Sequence, residues 1–139
     1  MQEWTIGQLA RQTGVSVDTI RYYERRGLLR PHRRRPTLHG PGYRLYNEDA
    51  VRRLRFIKRA QRLGFSLREI RELLELRLDP QADRREVQRR IEHKVQTIDT
   101  KIRELRRLRH ALIRIRRRCQ GPGPVCACPI LDALESADE

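Results

Sequence analysis

The stretch TIGQLARQTGVSVDTIRYYERRGLL, residues 5–29, decides how the chain begins to fold. Thr5 is followed three residues later by Gln8, the form of a capping box in which hydroxyl and amide each satisfy a free N–H at a helix start. Ile6, Leu9 and Ala10 then give a short apolar helical face, and Gly14 permits the sharp turn after it. Ser16 caps a second helix, from Val17 to about Arg26, which Gly27 closes. Two short helices around a glycine turn predict a helix-turn-helix.

Downstream, PHRRRPTLHGPG at 31–42 holds three prolines and two glycines, so no helix crosses it. The arginines at 33–35 are expected to lie in a mobile, solvated loop. Tyr43-Arg44-Leu45-Tyr46 alternates as a short strand does and predicts one arm of a β-ribbon wing. Asn47 caps a further helix with Val51, Leu54, Ile57 and Leu63 as its stripe, ended by Gly64. Ser66 and Glu69 form a second capping box, opening a helix through Ile70, Leu73 and Leu74 that Asp79-Pro80 stops.

Asp83 and Glu86 repeat the box in an Asp-led form, and neither proline nor glycine follows until Gly121. Val87, Ile91, Val95, Ile98, Ile102, Leu105, Leu108, Leu112 and Ile115 step by threes and fours between charged flanks. A seam of that length spans roughly 50 Å at the helical rise. A domain this small cannot cover it, so a partner helix from a second copy is expected, giving a homodimer. The reading is mainly α: a winged helix-turn-helix over 1–77, linker and dimerisation helix over 78–118, and a loop, short helix and acidic tail over 119–139.

The 139 residues carry 32 Lys and Arg against 18 Asp and Glu, a formal charge of +14. Residues 1–83 hold 18 basic and 10 acidic groups, residues 84–118 hold 14 and 4, and residues 119–139 hold none and 4. A basic body with an acidic tail points to a polyanionic partner, double-stranded DNA before others. No apolar run nears the ~20 residues of a membrane span, and the N-terminus lacks the apolar stretch of a signal peptide, so a cytoplasmic chain is expected. No Gly-rich phosphate loop, HExxH or nucleophile elbow appears, which argues against an enzyme.

The segment at 5–29, GYRLY at 42–46 and AQRLGFSLREIRELL at 60–74, in that order, closely resemble the MerR family of transcription regulators. The likeness runs from residue 5 to about 134. It implies a winged helix-turn-helix, an antiparallel coiled coil joining two protomers, and an effector-binding C-terminus. It also implies action on promoter DNA together with RNA polymerase holoenzyme, by distorting an overlong promoter spacer. The matching DNA-contact positions are Ser16, Val17, Thr19, Arg21 and Tyr22 on the second helix. Tyr43, Arg44 and Tyr46 match wing residues that grip phosphates, and Lys58 and Arg62 add candidates on the next helix. Of the neighbours Tyr22 and Tyr23, only one can face outward.

All three cysteines fall in the run CQGPGPVCACPILDAL at 119–134. Three clustered thiols in a reducing compartment suggest metal or reactivity rather than a disulfide framework. Pro129 suits the first position of a helix, which puts Cys128 at the N-cap, facing the positive end of the helix dipole. Arg116, Arg117 and Arg118 supply positive charge beside Cys119, and Ile130, Leu131 and Leu134 offer an apolar face to cover the loop. In the metal-sensing branch that the chain resembles, Cys119 and Cys128 match the two loop ligands, and Cys126 is additional. Soft thiolates select Cu(I), Zn(II), Cd(II), Hg(II) or Pb(II). Divalent-ion members place a further cysteine near the start of the dimer helix, where this chain has Arg84, which favours Cu(I). Cys126 and the eight-residue spacing between Cys119 and Cys128 favour a divalent ion. The reading is a regulator that represses without metal and activates with it. The alternative is a thiol-based redox sensor.

Overall fold

The computed structural model describes residues 2–119 and 121–136. It divides into two compact units, Met1–Val87 and Gln88–Glu139. The first comprises β1 (Trp4–Thr5), α1 (Ile6–Thr13), α2 (Val17–Arg25), β2 (Arg33–Thr37), β3 (Gly40–Tyr46), α3 (Glu48–Arg62) and α4 (Leu67–Leu78).

The capping boxes at Thr5 and Ser66 form reciprocally. Thr5 Oγ1 accepts from the Gln8 N–H at 3.3 Å while Gln8 Oε1 accepts from the Thr5 N–H at 2.9 Å. Ser66 and Glu69 repeat the exchange at 3.2 and 2.9 Å. Between α1 and α2 the chain turns at Gly14, whose φ of 71° is left-handed backbone that a side chain resists. The apolar faces of the four helices then meet. Leu9, Ile20, Leu28, Leu54, Ile57 and Ile70 lose all contact with solvent, and each such burial stabilises by about 1.5–3 kcal/mol.

The sheet is antiparallel in the order β1-β3-β2. The expected strand at 43–46 is the end of a longer arm, and β1, too short to read from pattern, pairs with it through Trp4 and Tyr46. The arginines expected in a solvated loop at 33–35 instead form β2, although every residue of that strand is exposed. Backbone pairing to β3 organises them; Pro36, which has no N–H to give, lies where the register shifts between Arg35 and Thr37. Gly42 is indispensable here. Its φ is 82°, and a Cβ at that position would lie 2.3 Å from the Arg35 carbonyl oxygen.

α5 (Arg84–Arg116) runs 33 residues, begins in the first unit and continues through the second. Its start is set by Asp83, whose carboxylate accepts from the Arg85 N–H at 2.9 Å. No residue of α5 is buried. The predicted seam from Val87 to Leu112 stands 40–64% exposed. After α5 come a 3-10 turn (Val125–Ala127) and α6 (Pro129–Ser136), where Ala133 is buried. No helix among the described residues is long and apolar enough to cross a membrane.

Candidate nucleic-acid interface and thiol loop

At the start of α2, Ser16 Oγ accepts from the Thr19 N–H at 3.2 Å and donates to Thr19 Oγ1 at 2.8 Å. A cleft of about 410 Å³ opens beside this turn, lined by Ser16, Thr19, Tyr23, Gln61, Lys58 and Arg62 among others. Residues distant in sequence thus converge: two hydroxyls at a helix N-terminus and two cations from α3, the combination that holds a backbone phosphate. The cleft is braced by Tyr23, which is buried and donates to Gln61 Oε1 at 2.9 Å. Burial raises its pKa above the usual tyrosine value and so keeps it a donor. Of the tyrosine pair it is therefore Tyr22 that faces outward, with Arg25 and Arg26 5.8 and 5.9 Å from its ring centre. Arg21 is exposed on the same helix, whereas Val17 is half-buried.

On the wing, Tyr43 is exposed and Arg44 keeps 45% of its side chain in solvent. Tyr46 is not where a phosphate-gripping residue must be. It is fully buried, and its hydroxyl donates to Glu24 Oε1 of α2. The same carboxylate takes Arg44 Nη1 at 2.5 Å through its other oxygen. Desolvation and the adjacent carboxylate push the Tyr46 hydroxyl well above the usual tyrosine range. Glu24, with only 10% of its side chain exposed, thereby fastens the wing to the second helix of the helix-turn-helix. Glu24 escapes a reading by sequence, because its partners lie 20 and 22 residues away. The one available signal is that Arg44 and Tyr46, two apart on a strand, share a face.

In the other unit the chain leaves α5 through a tight turn, with the Cys119 N–H on the Arg116 carbonyl at 3.1 Å. Cys119 Sγ lies 3.5 Å from the Gly121 carbonyl oxygen, which its thiol donates to. Cys126 sits in the 3-10 turn, and Cys128 directly precedes α6, its carbonyl accepting from the Asp132 N–H at 3.1 Å. All three are free thiols, Cys119 and Cys126 exposed and Cys128 half-buried. No three His, Cys, Asp or Glu side chains converge into a metal-sized cluster among the described residues. The donor chemistry nonetheless fits a soft ion: three unpaired thiols, one at a helix N-terminus, in a segment with no basic residue of its own. His93 and His110 are both exposed on α5.

Comparison with known proteins identifies the family. The profile described as "MerR HTH family regulatory protein" matches residues 4–76, and "MerR, DNA binding" matches residues 51–115. The HTH-type transcriptional regulator ZntR of Escherichia coli K12 is 38% identical over 134 residues, 95% of this chain and 92% of that protein. The mercuric resistance operon regulatory protein of Serratia marcescens is 40% identical over 139 residues, covering 100% of this chain and 92% of the relative. The crystal structure of PbrR691 from Ralstonia metallidurans CH34 in complex with lead(II) superposes with a TM-score of 0.83 at 36% identity, covering 93% of this chain and 97% of that one. Matched across the helix-turn-helix and along α5, and similar to these regulators over nearly its whole length, the chain belongs to the MerR family of DNA-binding regulatory proteins.

Proposed function

We propose that the chain is a metal-responsive transcriptional regulator of a metal-resistance promoter, repressing without its ion and activating with it. The observation that carries the reading is the thiol loop: three free cysteines following a long helix, with Cys128 at the threshold of the closing helix. Clustered, unpaired thiols in a DNA-binding chain serve either a soft ion or thiol redox chemistry. Relatives named for mercuric resistance, and one solved with lead(II), support a thiophilic effector.

In this reading Ser16, Thr19, Arg21, Tyr22, Tyr43, Arg44, Lys58 and Arg62 face promoter DNA, and Cys119 and Cys128 hold the ion, with Cys126 as a third sulfur where the ion is divalent. Two copies pair through the exposed seam of α5, which finds no burial otherwise. The working division is 1–77 for DNA, 78–118 for pairing and 119–139 for the effector. Metal binding biases two arrangements of the pair, and RNA polymerase holoenzyme reads the resulting shape of the promoter. The test is transcription from the chain's own operator with purified polymerase, under reducing anaerobic conditions, across Cu(I), Zn(II), Cd(II), Hg(II) and Pb(II). Induction by at least one ion is expected. Induction by peroxide alone, with every ion silent, replaces the reading with a thiol redox sensor.

A further inference from the structure

The face of α5 opposite its apolar seam carries a run of unbalanced positive charge. Between Thr100 and Arg118 stand nine Lys and Arg against one acid, Glu104. At 3.6 residues per turn, Arg103, Arg106, Arg107, His110, Arg114 and Arg117 fall within an arc of about 100°. Arg117 belongs to it because its N–H still donates to the Ile113 carbonyl, at 3.1 Å, just past the end of α5. Leu105, Leu108 and Leu112 lie on the other side, so a helix packed on the seam leaves the arc in solvent. All six residues are exposed. Arg103 reaches the neutral Thr100 Oγ1, at 3.3 Å. None of the five arginines pairs with a carboxylate among the described residues.

Arg103 stands three and four residues from Arg106 and Arg107, and Arg114 three from Arg117. Like charges at those spacings destabilise a helix, and a bound polyanion removes the repulsion. From 103 to 117 the stripe rises about 21 Å, which gives one arginine per ~4 Å. A DNA strand carries one phosphate per ~3.4 Å of axis, a line of charge of similar density. The cations are all arginine, whose planar fork bonds phosphate oxygens in pairs. No apolar residue lies within the arc between 103 and 117, so it offers nothing for a folded protein or a bilayer to bury.

We propose that this stripe is a second DNA-binding surface, which holds the phosphate backbone of a duplex other than the one on the helix-turn-helix. It lies wholly in the second unit, which contains none of the helix-turn-helix. It reads no base, because phosphate contacts position a duplex without carrying sequence information. One pair of chains then holds its operator through the first unit and a further DNA segment through α5.

The test uses metal-free, full-length protein. An operator selected from a random duplex library is immobilised and saturated with protein. Capture of a second, fluorescent duplex of unrelated sequence is then measured across a salt series. Replacing three cations together, as Arg103→Gln, Arg107→Gln and Arg114→Gln, should weaken capture about tenfold or more and flatten the slope of log K against log salt by about 2.7, at ~0.9 per phosphate. Operator affinity, sedimentation and helical circular dichroism should not change. The matching triple lysine variant keeps the charge and should retain the wild-type slope. Equal capture by the glutamine variant, or no capture by operator-loaded wild type at low salt, overturns the proposal. So does displacement of the second duplex by polyglutamate, or by phosphatidylglycerol vesicles, at a lower charge concentration than unlabelled duplex requires; the stripe would then face an acidic protein or a lipid surface. A chain that binds duplexes but selects none removes the operator reading, a different failure, and the glutamine variant's slope on a random duplex then tests the stripe alone.

Discussion

Leu105 lies in the middle of the α5 seam with 63% of its surface exposed. If two copies pair there, that exposed fraction is what association buries. Full burial of a leucine is worth about 1.5–3 kcal/mol, so the available part is about 1–2 kcal/mol per protomer. Leu105→Ala forfeits that much. Leu105→Asp forfeits it and also places an unpaired carboxylate in the seam, where an uncompensated buried charge costs about 3–5 kcal/mol. Each protomer carries the substitution, so the pair loses about 8–14 kcal/mol, or at least about 10⁵-fold in dissociation constant at ~1.4 kcal/mol per tenfold. Sedimentation equilibrium at micromolar concentration should find dimers for wild type, weakened dimers for Leu105→Ala and monomers for Leu105→Asp. Operator affinity should fall with dimerisation, since one helix-turn-helix then binds without its twin. A dimeric Leu105→Asp with normal operator affinity would mean that the seam is covered by something else.

Three further outcomes follow from the wing and the loop. Tyr46 has a raised pKa in the fold, so its stabilisation is complete below the unfolded value of 10.0 and is lost as pH climbs beyond it. Thermal melts should therefore fall more steeply above pH 10 in wild type than in Tyr46→Phe, which at neutral pH loses about 1–3 kcal/mol through Glu24's missing donor. Gly42→Ala brings a Cβ against the Arg35 carbonyl in left-handed backbone, costing about 1–3 kcal/mol in strain. It should weaken DNA binding and speed amide exchange in the wing while helical circular dichroism is unchanged. Cys119→Ser and Cys128→Ser should each abolish induction and leave operator affinity intact; unaltered induction in both with every ion refutes the thiol site.

The helical framework was legible because each start is signed locally. Thr5, Ser16, Asn47, Ser66 and Asp83 each cap a helix at its own N-terminus. The seam was legible because nine apolar residues at helical spacing leave few options, and its exposure on the described chain agrees. The wing was half legible. Its second arm alternates visibly, but β2 reads RRRPT, a composition that argues for loop, and only pairing with β3 makes it a strand. The fate of Tyr46 was hidden for the same reason: alternation says that it shares a face with Arg44, and nothing local says that the face holds a carboxylate. Single cations such as Arg21 were easy to nominate. That Lys58 and Arg62 meet Ser16 and Thr19 around one cleft depends on how α3 crosses α2, which no local pattern encodes.

The identity of the ion turns on Cys126. Charge does not separate the candidates: two thiolates with Cu(I) leave a net −1, and three thiolates with a divalent ion leave the same. Either complex requires positive charge nearby once it is desolvated. Residues 119–139 supply no cation, so the compensation comes from outside, with Arg116, Arg117 and Arg118 the neighbours in sequence. Arg84 is a further source in the proposed antiparallel pair. It stands as the first residue of α5, where a cation opposes the helix dipole at a cost of about 0.3–1 kcal/mol; that cost is offset if Arg84 faces the partner's loop. What separates the ions is coordination number. Cu(I) is satisfied by Cys119 and Cys128, whereas a three-thiolate complex of Hg(II), Cd(II) or Pb(II), of net charge −1, takes Cys126 as its third sulfur. Cys126→Ser should therefore leave a Cu(I) response intact or abolish a divalent one, read as induction and as the ultraviolet thiolate-to-metal band. Full induction by Hg(II) or Pb(II) in that variant, with the band unchanged, rules out the three-sulfur site.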